Sequence, residues 1–111
     1  MKKENKSFSR YSLEAVALLG QQIKIARIEN KFTVQEVAER AGISRGLLQR
    51  IERGAMTCAI GAVFEVATIV GIKLFDADVD DLKRHHHQAE ERIALLPKSV
   101  RQTDNEVDDD F

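Results

Sequence analysis

The sequence predicts an all-α domain of five helices followed by a disordered acidic tail, and three observations lead there. Apolar residues recur at three- and four-residue spacing along most of the chain, the period of one helix face. Ser, Thr or Asp stands ahead of several of these runs, and Gly closes three of them. The composition agrees: one Pro, six Gly and an abundance of Ala, Glu, Arg, Leu and Ile favour helices over strands.

Residues 1–11 are polar and basic, with Lys2, Lys3, Lys6 and Arg10, and read as a flexible arm. It is either a solvated terminus or a segment that tracks phosphates or enters a minor groove. The folded domain is expected over residues 12–96. Ser12 is the N-cap candidate of the first helix, with Glu14 in its first turn. Leu13, Val16, Leu19, Ile23 and Ala26 follow helical spacing to about Glu29, and Asn30–Lys31 breaks the pattern. Thr33 caps a second helix, and Glu36, three residues on, completes a capping box. Val34, Val37, Ala38 and Ala41 give it a buried face.

Gly42 ends that helix and Ser44 caps a third, residues 45–53, closed by Gly54. A Gly at a helix end supplies the left-handed residue of a C-terminal cap without steric cost. The fourth helix, residues 59–70, carries Ile60, Val63, Phe64, Ala67 and Val70 on one face, and Gly71 ends it. Residues 72–75 read as extended, a candidate short strand. Asp76 or Asp78 caps a fifth helix, residues 79–95, with Val79, Leu82, His86, Ala89, Ile93 and Leu96 on one stripe. Pro97 stops it. Residues 97–111 hold five acids in their last eight positions and few apolar groups, so disorder is expected.

Several functional classes fall away. The weakly charged run 55–73 is interrupted by Glu65 and has too few consecutive apolar residues to span a bilayer, so no membrane association is expected. The basic start lacks the apolar segment of a secretory signal. A lone Cys58 cannot close an intramolecular disulfide, which fits a reducing cytoplasm, and it reads as a small half-buried residue. His85, His86 and His87 are adjacent, and successive helical side chains diverge by about 100°, so they cannot converge on a metal. One of them falls on the core stripe and two point outward. No Ser has a partner His and no Gly-rich phosphate loop occurs, so neither an enzyme nor a cofactor is expected.

The segment 33–54, TVQEVAERAGISRGLLQRIERG, carries the function. Two short capped helices meet at a tight turn on Gly42, with Ala38 and Ala41 small enough for close crossing. Ile43, Leu48 and Ile51 hold the second against a core. This is a helix-turn-helix, whose second helix projects into a major groove about 12 Å wide while the first braces it.

From Leu18 to Gly71, about half the chain, the sequence resembles the lambda-repressor-like, Xre-type family. The shared features include its GQQIKIAR opening and IERG close. Within that family it is most similar to HipB-type antitoxins, the DNA-binding partners of HipA-type serine/threonine kinases. The ending RIALLPKSVR followed by EVDDDF carries that narrower likeness.

The resemblance implies that Arg45, Gly46, Gln49 and Arg50 on the third helix meet bases. Arg pairs bidentately with guanine and Gln with adenine. Gly46 offers backbone contact only, so Arg45 and Arg50 lead. Thr33 and Ser44, at helix N-termini, are placed for phosphate, with Gln35 and Arg53 at the rim. The likeness also implies a partly buried Arg27–Glu52 pair joining the first and third helices. Three residues depart from the family pattern: Val34, where Gln often touches phosphate; Ala59, where Ser or Pro usually starts the fourth helix, with Thr57 an alternative cap; and Gly46, which costs roughly 0.5–1 kcal/mol inside a helix.

The expected function is a repressor that binds a near-palindromic operator in double-stranded DNA as a homodimer. Its dimer contacts would come from the fourth and fifth regions, where Phe64, Ile69, Leu74, Phe75, Leu82 and Ile93 exceed the needs of a small core. Three roles follow. The chain is an autoregulating antitoxin that restrains a HipA-type kinase, a stand-alone repressor of phage or restriction-modification type, or a protein-binding module without DNA recognition. For the first role, Val107, Asp108, Asp109, Asp110 and Phe111 are the candidate partner-docking segment, with Phe111 as apolar anchor.

The total charge of −1 conceals an asymmetry: residues 1–53 carry a net +5 and residues 54–111 a net −6. Such a split points to one surface for a polyanion and another for something different.

Overall fold

The computed structural model describes residues 7–100. Five helices follow in order: α1 (Arg10–Glu29), α2 (Val34–Ala41), α3 (Arg45–Glu52), α4 (Ile60–Ile69) and α5 (Val79–Leu95). Among the described residues there is no strand. The chain divides into two compact units, one ending at Phe75 and the other starting at Asp76.

In the first unit α1–α4 surround a core of Ile23, Val37, Ala38, Leu48, Ile51, Val66, Ala67 and Val70. Phe32, Ile43, Leu47, Val63, Ile69 and Ile72 pack against it, half-buried. The capping chemistry follows the sequence closely. Thr33 Oγ1 accepts from the Glu36 amide at 3.0 Å, and Glu36 Oε1 accepts from the Thr33 amide at 2.8 Å. Ser44 Oγ accepts from the Leu47 amide at 3.0 Å. Each pair satisfies amides that a helix start leaves without partners.

The four helix ends are variations on one device. After each of α1–α4 a left-handed residue carries the turn: Lys31 (φ 62°), Gly42 (φ 71°), Gly54 (φ 82°) and Gly71 (φ 94°). The following residue then folds its amide back: Phe32 to the Arg27 carbonyl, Ile43 to Ala38, Ala55 to Arg50 and Ile72 to Ala67, at 2.8–3.0 Å. This is the Schellman arrangement, and the residue that closes it is apolar in every case. The end of α1 is the exception in composition, because Lys31 occupies the position that Gly fills elsewhere. Asn30 supports it by donating from Nδ2 to the Ala26 carbonyl at 2.8 Å and the Val70 carbonyl at 3.1 Å.

Several expectations need correction. The first helix starts at Arg10, capped by Ser9 rather than Ser12, whose amide donates to Ser9 Oγ at 3.1 Å. Arg10 and Tyr11 therefore belong to α1 instead of the arm, and Glu14 lies beyond the first turn, which has no acid. Residues 72–75 form no strand: the Ile72 amide is committed to the α4 cap, and Leu74 and Phe75 lie in a turn. The start of α4 has no side-chain cap from Thr57 or any other residue. Ile60 is exposed, and Val66, which lies off the expected face, is buried in the core. Ile69 packs on the core, and Phe64 stacks on Phe75 with ring centroids 6.1 Å apart, so these are not simple surplus.

In the second unit α5 starts at Asp78, whose carboxylate accepts from the Asp81 amide at 2.8 Å. The Asp81 carboxyl is held below the usual carboxylate range, first by its hydrogen bond from Arg84 at 2.7 Å. No residue of α5 is buried. His86 is accordingly not on a core stripe; it is exposed and reaches Glu90 at 3.5 Å, as His87 reaches Glu91 at 3.2 Å. Residues 1–6 of the expected arm and 101–111 of the expected tail lie outside the described residues.

Candidate nucleic-acid interface

The α2–turn–α3 segment sets one helix into the core by one face and leaves the other face open. α3 buries Leu48, Ile51 and Glu52, while Arg45, Gly46, Gln49, Arg50 and Arg53 are exposed. Leu48, Ile51 and Glu52 stand three and four residues apart and so share the buried face. Ser44, at the cap, is exposed as well. Its oxygen is used by Leu47, which leaves the hydroxyl proton to donate outward. Among the described residues, none of Arg45, Arg50 and Arg53 forms an ion pair.

Two interactions set the angle and depth of α3. Arg27 on α1 grips Glu52 bidentately, Nε to Oε2 at 2.7 Å and Nη2 to Oε1 at 3.2 Å, and Nη1 donates to the Phe32 carbonyl at 3.0 Å. The side chains are only 10% and 6% exposed, which confirms the expected pair. The second interaction is a close backbone approach at Gly20. A Cβ there would lie 2.5 Å from the Ile51 carbonyl oxygen and 2.7 Å from that of Glu52. Only hydrogen fits, so α1 and the end of α3 touch through backbone.

Gly46 differs. A Cβ built on it would meet nothing closer than Ser44 Oγ at 3.9 Å, so the fold itself has room for a side chain. Among the described residues nothing requires glycine at this exposed position.

The α2 candidates sit in a different electrostatic setting. Thr33 is exposed but shares its cap with the Glu36 carboxylate. Gln35 is exposed and donates from Nε2 to Glu39 Oε2 at 3.0 Å. Each therefore has an acid beside it, whereas Ser44 and Arg53 do not make such contacts. Lys24, which the sequence reading passed over, lines a shallow cleft with Val34, Gln49 and Arg53 over the buried Arg27–Glu52 pair. A signal was present. Lys24 precedes Arg27 by three residues and Gln49 precedes Glu52 by three, so the ion pair places both on one side.

An exposed cationic helix, held rigidly by its opposite face and braced across a tight glycine turn, is the arrangement of a helix-turn-helix protein. The family model described as a helix-turn-helix domain matches residues 18–82, more than half of the chain, and the chain belongs to that family. Its fold is that of DNA-binding regulators with this motif.

Among solved structures, the chain is similar to the master regulator for biofilm formation SinR in complex with DNA. Identity is 30%, over 52% of this chain and 94% of that one, with a TM-score of 0.45. It is also similar to a chain of the SinR–SinI protein complex at 24% identity, covering 68% of this chain and 82% of that one, with a TM-score of 0.45. No curated protein matches the chain. No described helix is long and apolar enough to cross a membrane. Among the described residues no three His, Cys, Asp or Glu side chains converge as metal ligands.

Proposed function

We propose that the chain is a sequence-specific DNA-binding repressor acting as a homodimer on a near-palindromic operator. One α3 per subunit enters successive major grooves, about 34 Å apart. Arg45 and Arg50 read bases with Gln49, and Gly46 lets the helix backbone approach the groove. Ser44 and Arg53 hold phosphates, and Thr33 and Gln35 contribute at the rim against the opposition of Glu36 and Glu39. Lys24 adds a phosphate contact beside Gln49. The observation that carries this reading is the exposed α3 face, whose three guanidinium groups have no ion pair among the described residues, on a helix locked from behind.

The more specific role is that of an antitoxin that represses its own operon and restrains a HipA-type serine/threonine kinase. In this role residues Val107, Asp108, Asp109, Asp110 and Phe111 dock the kinase. Its support is the resemblance of the RIALLPKSVR and EVDDDF segments to HipB-type chains. The net −6 of the C-terminal half is in keeping with a segment that stays off DNA.

A gel shift with the DNA upstream of the gene tests the first reading. A complex should form at roughly 50–100 mM salt and weaken steeply as salt rises, because phosphate contacts release counterions. No salt-sensitive complex would overturn it. Purification from the native host tests the second. A kinase should accompany the full chain and be lost on deleting residues 104–111, with operator affinity unchanged or higher. If no kinase is retained, the antitoxin role fails and the repressor reading stands.

A further inference from the structure

We infer that α5 is a self-complementary coiled-coil strand that pairs antiparallel with the α5 of a second copy, about a two-fold axis between His87 and Gln88. The inference rests on the homodimer reading above and specifies its surface and register.

Val79, Leu82, His86, Ala89 and Ile93 on α5, with Leu96 at its C-cap, are spaced three, four, three, four and three residues apart, the a and d positions of a coiled-coil seam. The four large apolar members are exposed: Val79 66%, Leu82 40%, Ile93 67% and Leu96 57%. A 17-residue helix that buries none of its own residues lacks the tertiary packing that normally sustains a helix of this length. Something must cover the seam, and its pattern indicates what.

The seam is symmetric about its midpoint. Turned over, it sets Val79 against Leu96 of the second copy, Leu82 against Ile93, and His86 against Ala89, each layer occurring twice. Large meets large at the ends, and the bulky imidazole meets the one small residue at the centre. A parallel pair would instead place two His86 rings in one layer and two Ala89 methyls in the next, crowding one and leaving a void in the other. Parallel pairing would also set the Asp78, Asp80 and Asp81 clusters side by side and align the two helix dipoles.

The flanking charges favour the same register. In an antiparallel pair the e positions face each other, so Lys83 of one copy meets Glu90 of the other, and the contact repeats by symmetry. His85 and Arg92 flank the opposite side and add no attraction. Neither Lys83 nor the far side of Glu90 is committed to another chain element; Glu90 reaches only His86 within α5.

The test uses the full chain in sedimentation equilibrium, with circular dichroism confirming that the surface variants keep their helix content. Lys83→Glu and Glu90→Lys, each alone, turn two attractions into repulsions and should raise the dimer dissociation constant roughly tenfold. Mixing the two variants restores complementarity, since the first then offers acids at both flanking positions and the second offers lysines at both. Association in the mixture should return to about the wild-type strength. In a parallel pair Glu90 faces His85, so Glu90→Lys would change little and mixing would rescue nothing. A dimer indifferent to both substitutions, or unrescued by mixing, overturns the α5 pairing and leaves the homodimer to another surface. A wild-type chain that stays monomeric at its highest soluble concentration overturns both.

Discussion

Arg27 offers the sharpest test of how α3 is held, because losing it mimics loss of a DNA contact without touching DNA. Arg27→Ala strips Glu52 of both its guanidinium hydrogen bonds and the Phe32 carbonyl of a third. The carboxylate left behind is 6% exposed, so water reaches it poorly. Breaking such a buried pair from one side costs about 3–5 kcal/mol. That is a large share of the roughly 5–15 kcal/mol typical of a whole domain. At about 4–8 °C per kcal/mol for a domain of this size, the melting temperature should fall by about 12 °C or more.

Removing both partners should behave differently. In Arg27→Met with Glu52→Leu the interior loses its charges together and keeps comparable volume, which is often neutral or stabilising. The residual loss is the Phe32 carbonyl bond, about 1 kcal/mol. Thermal and urea unfolding of the wild type and the two variants measure this directly. Operator affinity, taken well below each melting temperature, should follow stability and be restored in the double variant. A double variant as unstable as Arg27→Ala would refute the ion-pair account. A stable double variant that cannot bind operator would show that Arg27 or Glu52 contributes to DNA contact itself.

The remaining predictions concern single positions. Arg45→Ala should weaken specific operator binding by ~1–3 kcal/mol with unfolding unchanged; equal discrimination against competitor DNA would remove Arg45 from the base readers. Two of the three helical glycines, Gly20 and Gly46, should respond oppositely. Gly20→Ala forces a Cβ against two backbone carbonyls that cannot rotate away, so denaturation should show a loss of at least ~1–3 kcal/mol. Gly46→Ala meets open space and should gain ~0.5–1 kcal/mol in the same assay while weakening operator binding, as the proposed close approach requires. Lys31→Gly relieves a left-handed residue with a side chain and should stabilise the domain by up to about 1 kcal/mol in thermal unfolding.

The parts of the fold legible in the sequence are those written in local chemistry. Thr33 with Glu36, Ser44 before α3, and the glycines after α2, α3 and α4 each act within a few residues, so their pattern survives without knowledge of the packing. Where local signals compete, sequence reading misplaced the boundary. Ser9 and Ser12 are both plausible caps three residues apart, and the first prevails because Ser12 itself donates to it. The end of α1 lacks glycine, and its support comes from Asn30 reaching Val70 forty positions away. Gly20 entered the sequence reading only as the first residue of the GQQIKIAR opening; that its missing side chain admits the end of α3 is a fact of three dimensions.

The site divides along the same line, and the division bears on the charge asymmetry. The identities of Arg45, Gln49, Arg50 and Arg53 were readable, since Gln49, Arg50 and Arg53 turn away from Leu48 and Ile51 and Arg45 stands in the exposed first turn of α3. Their strength as polyanion ligands was not, because it depends on which cations already have partners. The positive half of the chain contains one buried guanidinium spent on Glu52, and two α2 candidates whose neighbours are acids. Its +5 therefore overstates some positions and understates others. Among the described residues of that half, Arg45, Arg50, Arg53 and Lys24 form no ion pair, nor do Arg10 and Lys31 elsewhere, and Lys24 and Arg53 line one cleft beside α3. In the negative half, Lys83 and Glu90 matter more by sign and register than by total. A net charge near zero thus hides two local patterns, a cationic face without ion pairs among the described residues and an alternating helix that is its own complement.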